Sequence, residues 1–284
     1  MKKQVQEHVI EMLVKQGYAV KSIHCCFDIL ARKQGRIILM KILEDRNAMT
    51  ATDAEEMKGI ASVLYASPIV IAEKAGSKLQ DNVVYQSFGI PVITAATFDA
   101  CMQEQFPVVQ ATPSGMVVQM NMERLQAIMD SQEYSPGILS RKIGISAKMF
   151  AKYRQGSTIS LQRAFRLHAL LGSSVFQHFD IFQAAESPGK CSQYAAQKFL
   201  HLGFHATEAE KAPCDILARK EEEIILTTIG DTLDKNLQAV SQLLNADDLV
   251  IFNKRKPREL PALTKEEFLE FRKADELIKF VKEF

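Results

Sequence analysis

Between Tyr134 and Phe179 the chain carries Arg141, Lys142, Lys148, Lys152, Arg154, Arg163 and Arg166, and neither aspartate nor glutamate. Over the whole sequence 35 lysines and arginines are nearly balanced by 34 acids, for a net charge of +1, so this stretch is a local concentration. Cations crowded without counter-charges suit a polyanion, because each phosphate they neutralise releases condensed counterions. A second set of candidates lies in a run that occurs twice. Asp28 opens the run DILARK, Lys41 follows in the next apolar run, and DILARK returns at Asp215. Hard cations need clustered oxygen ligands, and one or two carboxylates make a weak site. The plainer use of a carboxylate at the start of a strand is to accept backbone hydrogen bonds or to pair with the nearby Arg32 or Arg219. The six histidines show no ligand-pair or triad spacing, and neither a zinc spacing nor a phosphate-loop pattern occurs, so no catalytic residue, metal or cofactor is expected.

The elements that must present the cations punctuate themselves. Ser135 followed by Pro136 is a helix cap with proline in the first turn. Ile138, Leu139 and Ile143 fall at helical spacing, and Gly144 supplies the positive φ of a sharp turn. Ile145 would plug the corner between two helices. Ser146 can cap a second helix whose inner face is Met149, Phe150 and Tyr153 and whose outer face is Ala147, Lys148, Ala151 and Lys152. A third helix begins near Ser160, with Leu161, Ala164, Phe165, Leu167, Leu170 and Leu171 as a broad apolar side, and Leu125, Ile128 and Met129 mark a short opening helix.

LSRKIGISAKMFAKYRQG resembles the Cro-like, phage-repressor type of helix-turn-helix. That resemblance implies that Ala147, Lys148 and Lys152 face base edges in the major groove, and that Ser146, Gln155 and Ser157 touch phosphates. Met149, Ala151 and Arg154 complete the DNA-binding set it implies. Pro136 stands where the family usually has glutamine, and Arg154 where it has glutamate.

Either side of this region the pattern is α/β. Val5, Val9, Met12 and Leu13 mark a helix, YAVKSIH, FDILARK and RIILMKIL read as strands, Glu55 to Tyr65 as a helix, and SPIVIAEK and the segment from Gly89 to Ile93 as further strands. FDILARKQGRIILMKI from Phe27 returns as CDILARKEEEIILTTI from Cys214, LVKQGYAV pairs with FLHLGFHA, ASPIVIAEK with ADDLVIFNK, and IPVITAATF with LPALTKEEF. Four segments in one order indicate a domain used twice. The expected organisation is a first α/β copy over 1–112, a Pro-Ser-Gly hairpin linker over 113–121, a helical DNA-binding domain over 122–182, a joint at HFDIFQAAESPGK, and a second copy over 188–284.

The order of elements in each copy is similar to that of restriction-endonuclease-like nucleases, including Holliday-junction resolvases. Those enzymes hold a divalent metal with a helix glutamate, an aspartate, and an acid two residues before a lysine. By that resemblance Glu7, Asp28 and Lys41 are in place, but Leu39 occupies the second acid's position; in the second copy Asp215 remains while Leu226 and Thr228 replace acid and lysine. The expected fold class is therefore α/β plus all-α: two degenerate restriction-endonuclease-like repeats flanking a central Cro-like helix-turn-helix, without enzymatic activity.

FDILARK, ASPIVIAEK, VVYQSFGIPVIT, the PSG hairpin, IGISAKMFAKYRQG and APCDILARK with IILTTIG together resemble an archaeal family of helix-turn-helix transcriptional regulators. The resemblance implies sequence-specific binding of double-stranded DNA and a regulatory role. A homodimer on an inverted repeat is expected, with an unidentified small-molecule effector as a further partner. A metal-dependent nuclease and a basic protein-binding adaptor are the competing readings. An apolar fraction of 47% and a charged fraction of 24% fit a globular protein. With no 18-residue apolar run and acids inside the first apolar pattern, no membrane partner and a cytoplasmic location are expected. The five cysteines lack any disulfide framework and are expected reduced.

Overall fold

The computed structural model describes residues 2–186 and 189–283. The expected joint at HFDIFQAAESPGK, and the expected start of the second copy, fall partly on Ser187 and Pro188, outside the described residues. The chain divides into two compact units, one taking residues up to Gly76, Ser87–Ile90 and those from Phe182 on, the other Ser77–Gln86 and Pro91–Ile181. The architecture is mixed α/β.

In the first unit, helix Lys2–Lys15 precedes strand Ala19–Ser22, which pairs antiparallel with Ile29–Lys33. That strand pairs antiparallel with Arg36–Asp45, which runs parallel to Ser67–Ala75 after a crossover through helix Ala51–Leu64. Residues 37–40 of the long strand are all buried, as expected of a strand next to a parallel partner with both faces covered. The crossover helix begins four residues before the expected Glu55, because Thr50 caps it by accepting from the Asp53 N–H at 3.1 Å.

From Tyr194 the order returns. Helix Tyr194–His201 is followed by strands His205–Glu208, Ile216–Lys220 and Glu223–Ile229, helix Leu237–Leu244, the parallel strand Asp247–Ile251 and Ala262–Leu263, the five strands forming a sheet in that order. Leu217 lies opposite Leu226 as Leu30 lies opposite Leu39. Phe199 meets Phe204 edge-on and Phe268 at a tilt, each with ring centroids 5.3 Å apart, at the centre of this half's core.

Helix Ala51–Leu64 packs against strands His205–Glu208 and Ile216–Lys220, and helix Leu237–Leu244 packs against Ala19–Ser22. Each half thus lends its helix to the other's strands. Gly59 is required by this approach: a Cβ there would stand 2.9 Å from Thr207 Oγ1.

In the second unit Val83 and Val84 pair in parallel with Val109 and Gln110, and strand Val109–Thr112 turns at Pro113 and Ser114 into Gly115–Val118. Ile159–Ser160 extends the hairpin by pairing with Val118 and Val117. Helix Ala95–Met102 lies earlier in this unit, and helices Met122–Ser131, Pro136–Ile143, Ala147–Arg154 and Leu161–Leu171 follow the hairpin. Their shared core includes Leu125, Met129, Leu139, Ile143, Phe150 and Tyr153, with Val118 of the hairpin.

The apolar side of Leu161–Leu171 is narrower than its sequence suggests. Ala164, Leu167 and Leu171 are buried, while Phe165 is 65% exposed and Leu170 is also exposed, as is Ile138 two helices earlier. The five cysteines are unpaired, and no helix among the described residues is long and apolar enough to cross a membrane.

Candidate nucleic-acid interface

The helix carrying the outer-face lysines is fixed at both ends by local chemistry. Ser135 accepts from the Ile138 N–H at 3.2 Å, with Pro136 in the first turn of helix Pro136–Ile143. Gly144 ends that helix at φ 72° and ψ 40°, and its N–H donates to the Arg141 carbonyl at 3.1 Å. Ile145 is half-buried and packs against the helical core. Ser146 then accepts from the Met149 N–H at 3.2 Å, starting helix Ala147–Arg154. This helix buries Phe150 and Tyr153, half-buries Met149 against the core, and leaves Ala147, Lys148, Ala151 and Lys152 exposed. Arg154, Gln155 and Ser157 are exposed at its far end.

The seven cations of this region divide by what their heads touch. Arg166 Nη1 donates to the Ile143 carbonyl at 3.2 Å, tying the last helix to the end of the first. Arg163 Nη1 donates to the Tyr153 hydroxyl at 2.8 Å, and Arg154 Nη2 to Gln126 Oε1 at 3.0 Å. Lys142 Nζ donates to the Tyr134 hydroxyl at 3.0 Å and lies 4.5 Å from that ring's centroid. Arg141 Nε reaches the Gly137 carbonyl of its own helix at 3.3 Å. Lys148 and Lys152 make no hydrogen bond or ion pair among the described residues. They stand one helical turn apart on the exposed side, where adjacent positions reach the same surface.

The nuclease-type residues are held differently. Asp28 is 2% exposed; its Oδ2 accepts from the Ile42 N–H at 2.8 Å, and its Oδ1 lies 3.1 Å from Lys2 Nζ. Asp215 does the same in the other half, accepting from the Ile229 N–H at 2.6 Å. Both aspartates thus clasp the backbone of the next strand, one of the two uses the sequence suggested. The other, pairing with Arg32 or Arg219, does not occur: residues four apart on extended backbone are separated by about 13 Å, and both guanidinium groups go elsewhere. Arg32 Nη1 donates to the Leu243 carbonyl at 3.1 Å, and Arg219 Nη1 to the Leu64 carbonyl at 3.0 Å.

Lys41 Nζ donates to the Cys25 carbonyl at 2.6 Å, and Glu7 is an exposed residue 3.9 Å from Lys3. The cation nearest Asp28 is Lys2, from the helix that would supply a metal-binding glutamate. Leu39 is fully buried. Among the described residues no group of three or more His, Cys, Asp or Glu side chains is placed to hold a metal ion. This donor set does not fit a divalent cation, which needs several oxygens at one point.

Sequence reasoning missed the exchange of Arg32 and Arg219 between halves, for which no local signal exists. It also passed over a second cationic run, Lys254, Arg255, Lys256 and Arg258, which is plain in the sequence but lies outside the helical region.

Residues 2–107 match the model of the PD-(D/E)XK superfamily domain. This overturns the expectation of a chain without enzymatic activity: a nuclease-like domain makes an enzyme one of the readings. No solved structure matches. The chain is 27% identical over 299 residues to a "Putative HTH-type transcriptional regulatory protein" of Archaeoglobus fulgidus, covering 98% of this chain and 96% of that protein. It is 26% identical to a protein of the same name from Thermococcus gammatolerans, covering 96% and 94% of the two chains. A third, from Methanospirillum hungatei, is 27% identical over 78% of this chain and 77% of its own. The chain is thus similar, along nearly its whole length, to archaeal proteins named as transcriptional regulators.

Proposed function

We propose that this protein is a sequence-specific DNA-binding transcriptional regulator that reads duplex DNA through a Cro-like helix-turn-helix within residues 122–182. The observation that carries the reading is the division of its cations. Five are occupied in holding the helices together or on their own backbone, and the two left free, Lys148 and Lys152, share the exposed face of a capped helix behind a glycine turn. In this reading Ala147, Ala151 and the two lysines meet base edges, and Ser146, Gln155 and Ser157 meet phosphates. The names of the full-length relatives support it. The protein acts as a dimer on two half-sites one helical turn apart, and the nuclease-like repeats at 1–112 and 188–284 are one scaffold used twice. Salt tests the reading against a protein-binding adaptor: log K for duplex DNA should fall by about 0.9 per phosphate contact for each log unit of salt. Retention of the duplex without any salt dependence would contradict it.

The match over residues 2–107, with Asp28 just before strand Ile29–Lys33 and Lys41 on the strand paired with it, favours one second reading, a nuclease directed by the same helices. Under it the protein nicks supercoiled or branched DNA, and Asp28→Asn abolishes the nicking. Intact DNA after incubation of the unaltered protein, with and without magnesium or manganese in the buffer, removes this reading.

A further inference from the structure

A cavity of about 870 Å³ opens in the second half at the carboxyl ends of the parallel strands Glu223–Ile229 and Asp247–Ile251. Open α/β sheets take ligands at this edge, where the chain leaves one strand for the crossover to the next. The volume is that of a small-molecule site.

Its lining has three kinds of chemistry. Lys235, Arg255, Lys256 and Arg258 bring four cations to one rim, and none of them makes a side-chain hydrogen bond or ion pair among the described residues. The loop carrying three of them is held by Asp231, whose carboxylate accepts from the backbone N–H groups of Asn253, Lys254 and Arg255 at 3.0–3.3 Å. Its cations are therefore presented from a fixed backbone, which lowers the ordering cost of binding. Leu237, Val250 and Leu260 supply an apolar wall. Asp248 lies in the wall as well. Its Oδ2 accepts from Ser241 Oγ at 2.9 Å, but its Oδ1 is buried without a hydrogen-bond partner. Buried polar atoms are nearly always paired, so the unpaired Oδ1 of a residue in the cavity wall offers an acceptor to a ligand's donor.

We propose that this cavity binds a nucleotide: phosphates on the four cations, the base against the apolar wall, and a hydroxyl or exocyclic amine donating to Asp248. A duplex backbone fits less well, because Asp231, Asp234, Asp248 and Glu259 line the same cavity and would repel a continuous row of phosphates. The four carboxylates suit a ligand that is anionic at one end and rich in donors at the other.

The test is calorimetric titration of the full chain with AMP, ADP, ATP and their guanine counterparts, with adenosine, inorganic phosphate and a random-sequence duplex as controls. Saturable binding of at least one nucleotide is expected. Lys256→Ala and Arg258→Ala, both at exposed positions, should each weaken that binding about ten-fold or more, as loss of a charge-assisted contact does, and leave adenosine unaffected. Asp248→Asn should weaken nucleotide and adenosine alike. Lys152→Ala should change neither, which separates this site from the proposed DNA surface. Absence of saturable nucleotide binding overturns the proposal. So does inorganic phosphate binding as tightly as the nucleotides, or a loss in the Arg258→Ala variant that falls on the duplex rather than on the nucleotide.

Discussion

Arg32 and Arg219 make the same contact in opposite directions. Arg32, on a strand of the first half, donates to the Leu243 carbonyl at the end of the second half's helix, and Arg219 returns the contact to Leu64 at the end of the first half's helix. The local settings match. Each arginine also donates through Nε to a carbonyl two residues on, in Gln34 and Glu221, and both helices end on a left-handed residue, Tyr65 or Asn245, each with φ 53°. A guanidinium at a helix C-terminus satisfies carbonyls that the helix leaves open and opposes the negative end of its dipole. The two halves are fastened to each other by a reciprocal pair of such contacts.

Arg32→Ala and Arg219→Ala should each destabilise the protein by about 1.5–3 kcal/mol, the usual worth of a hydrogen bond to a charged group. Arg219 also lies 4.4 Å from the centroid of the Tyr65 ring, so its loss should be the larger. Urea unfolding curves measure both, and a variant as stable as the unaltered protein would show that the contact adds nothing.

Gly144→Ala should cost about 1–2 kcal/mol from its left-handed backbone alone. A Cβ would also stand 2.8 Å from Arg166 Nη1, which would have to swing aside from the Ile143 carbonyl. The unfolding midpoint should fall, and DNA affinity should fall with it at temperatures where the turn no longer holds. A midpoint equal to that of the unaltered protein would mean the turn tolerates a side chain.

Lys152→Ala and Arg163→Ala remove one charge each from the same region but should do different things. Lys152 has no partner to lose among the described residues, so its removal should leave the unfolding midpoint in place and cost about 1–3 kcal/mol of specific binding if it reads a base. Arg163 holds the Tyr153 hydroxyl, so its removal should lower the midpoint first. Stability curves and mobility-shift titrations of both variants decide it; an unchanged sequence preference in Lys152→Ala contradicts its base-reading role.

Glu208 should make stability depend on acid. Burial pushes its carboxyl up, but the Gln193 N–H at 2.6 Å, the Ser192 hydroxyl and N–H, and Lys190 outweigh that and hold it below its ordinary 4.5. A carboxylate lowered in the folded state contributes stability that is complete above its unfolded pKa and is lost as pH falls through its folded one. Melting temperature should therefore drop as pH goes below 4.5, and Glu208→Gln should flatten that drop while lowering the plateau. Parallel acid limbs in the two proteins would count against it.

Much of the helical region was legible because its signals are local. Ser135, Gly144 and Ser146 each satisfy or turn backbone within three residues, and the structure puts each to that use. The return of DILARK could be read for another reason: strands buried on both faces constrain residue type, so the two runs and their neighbours could be aligned. Phe165 and Leu170 misled because apolar spacing on a helix does not say how wide a stripe the core covers; Ala164, Leu167 and Leu171 fill it. The partners of Arg32, Arg219 and Asp28 could not be read, since Leu243, Leu64 and Lys2 are brought to them only by packing. The proposed nucleotide cavity needs the ends of two strands and a loop together, and in the sequence only the run Lys254 to Arg258 hints at it.

The most direct test of the regulatory reading is selection of bound duplexes from a random library by the purified protein at about 0.15 M salt, where screening is that of ordinary conditions. Recovery of a two-fold-symmetric motif, lost or altered at one position by Lys152→Ala, is the result the account predicts. Recovery of no motif, with binding that vanishes as salt rises, would contradict it.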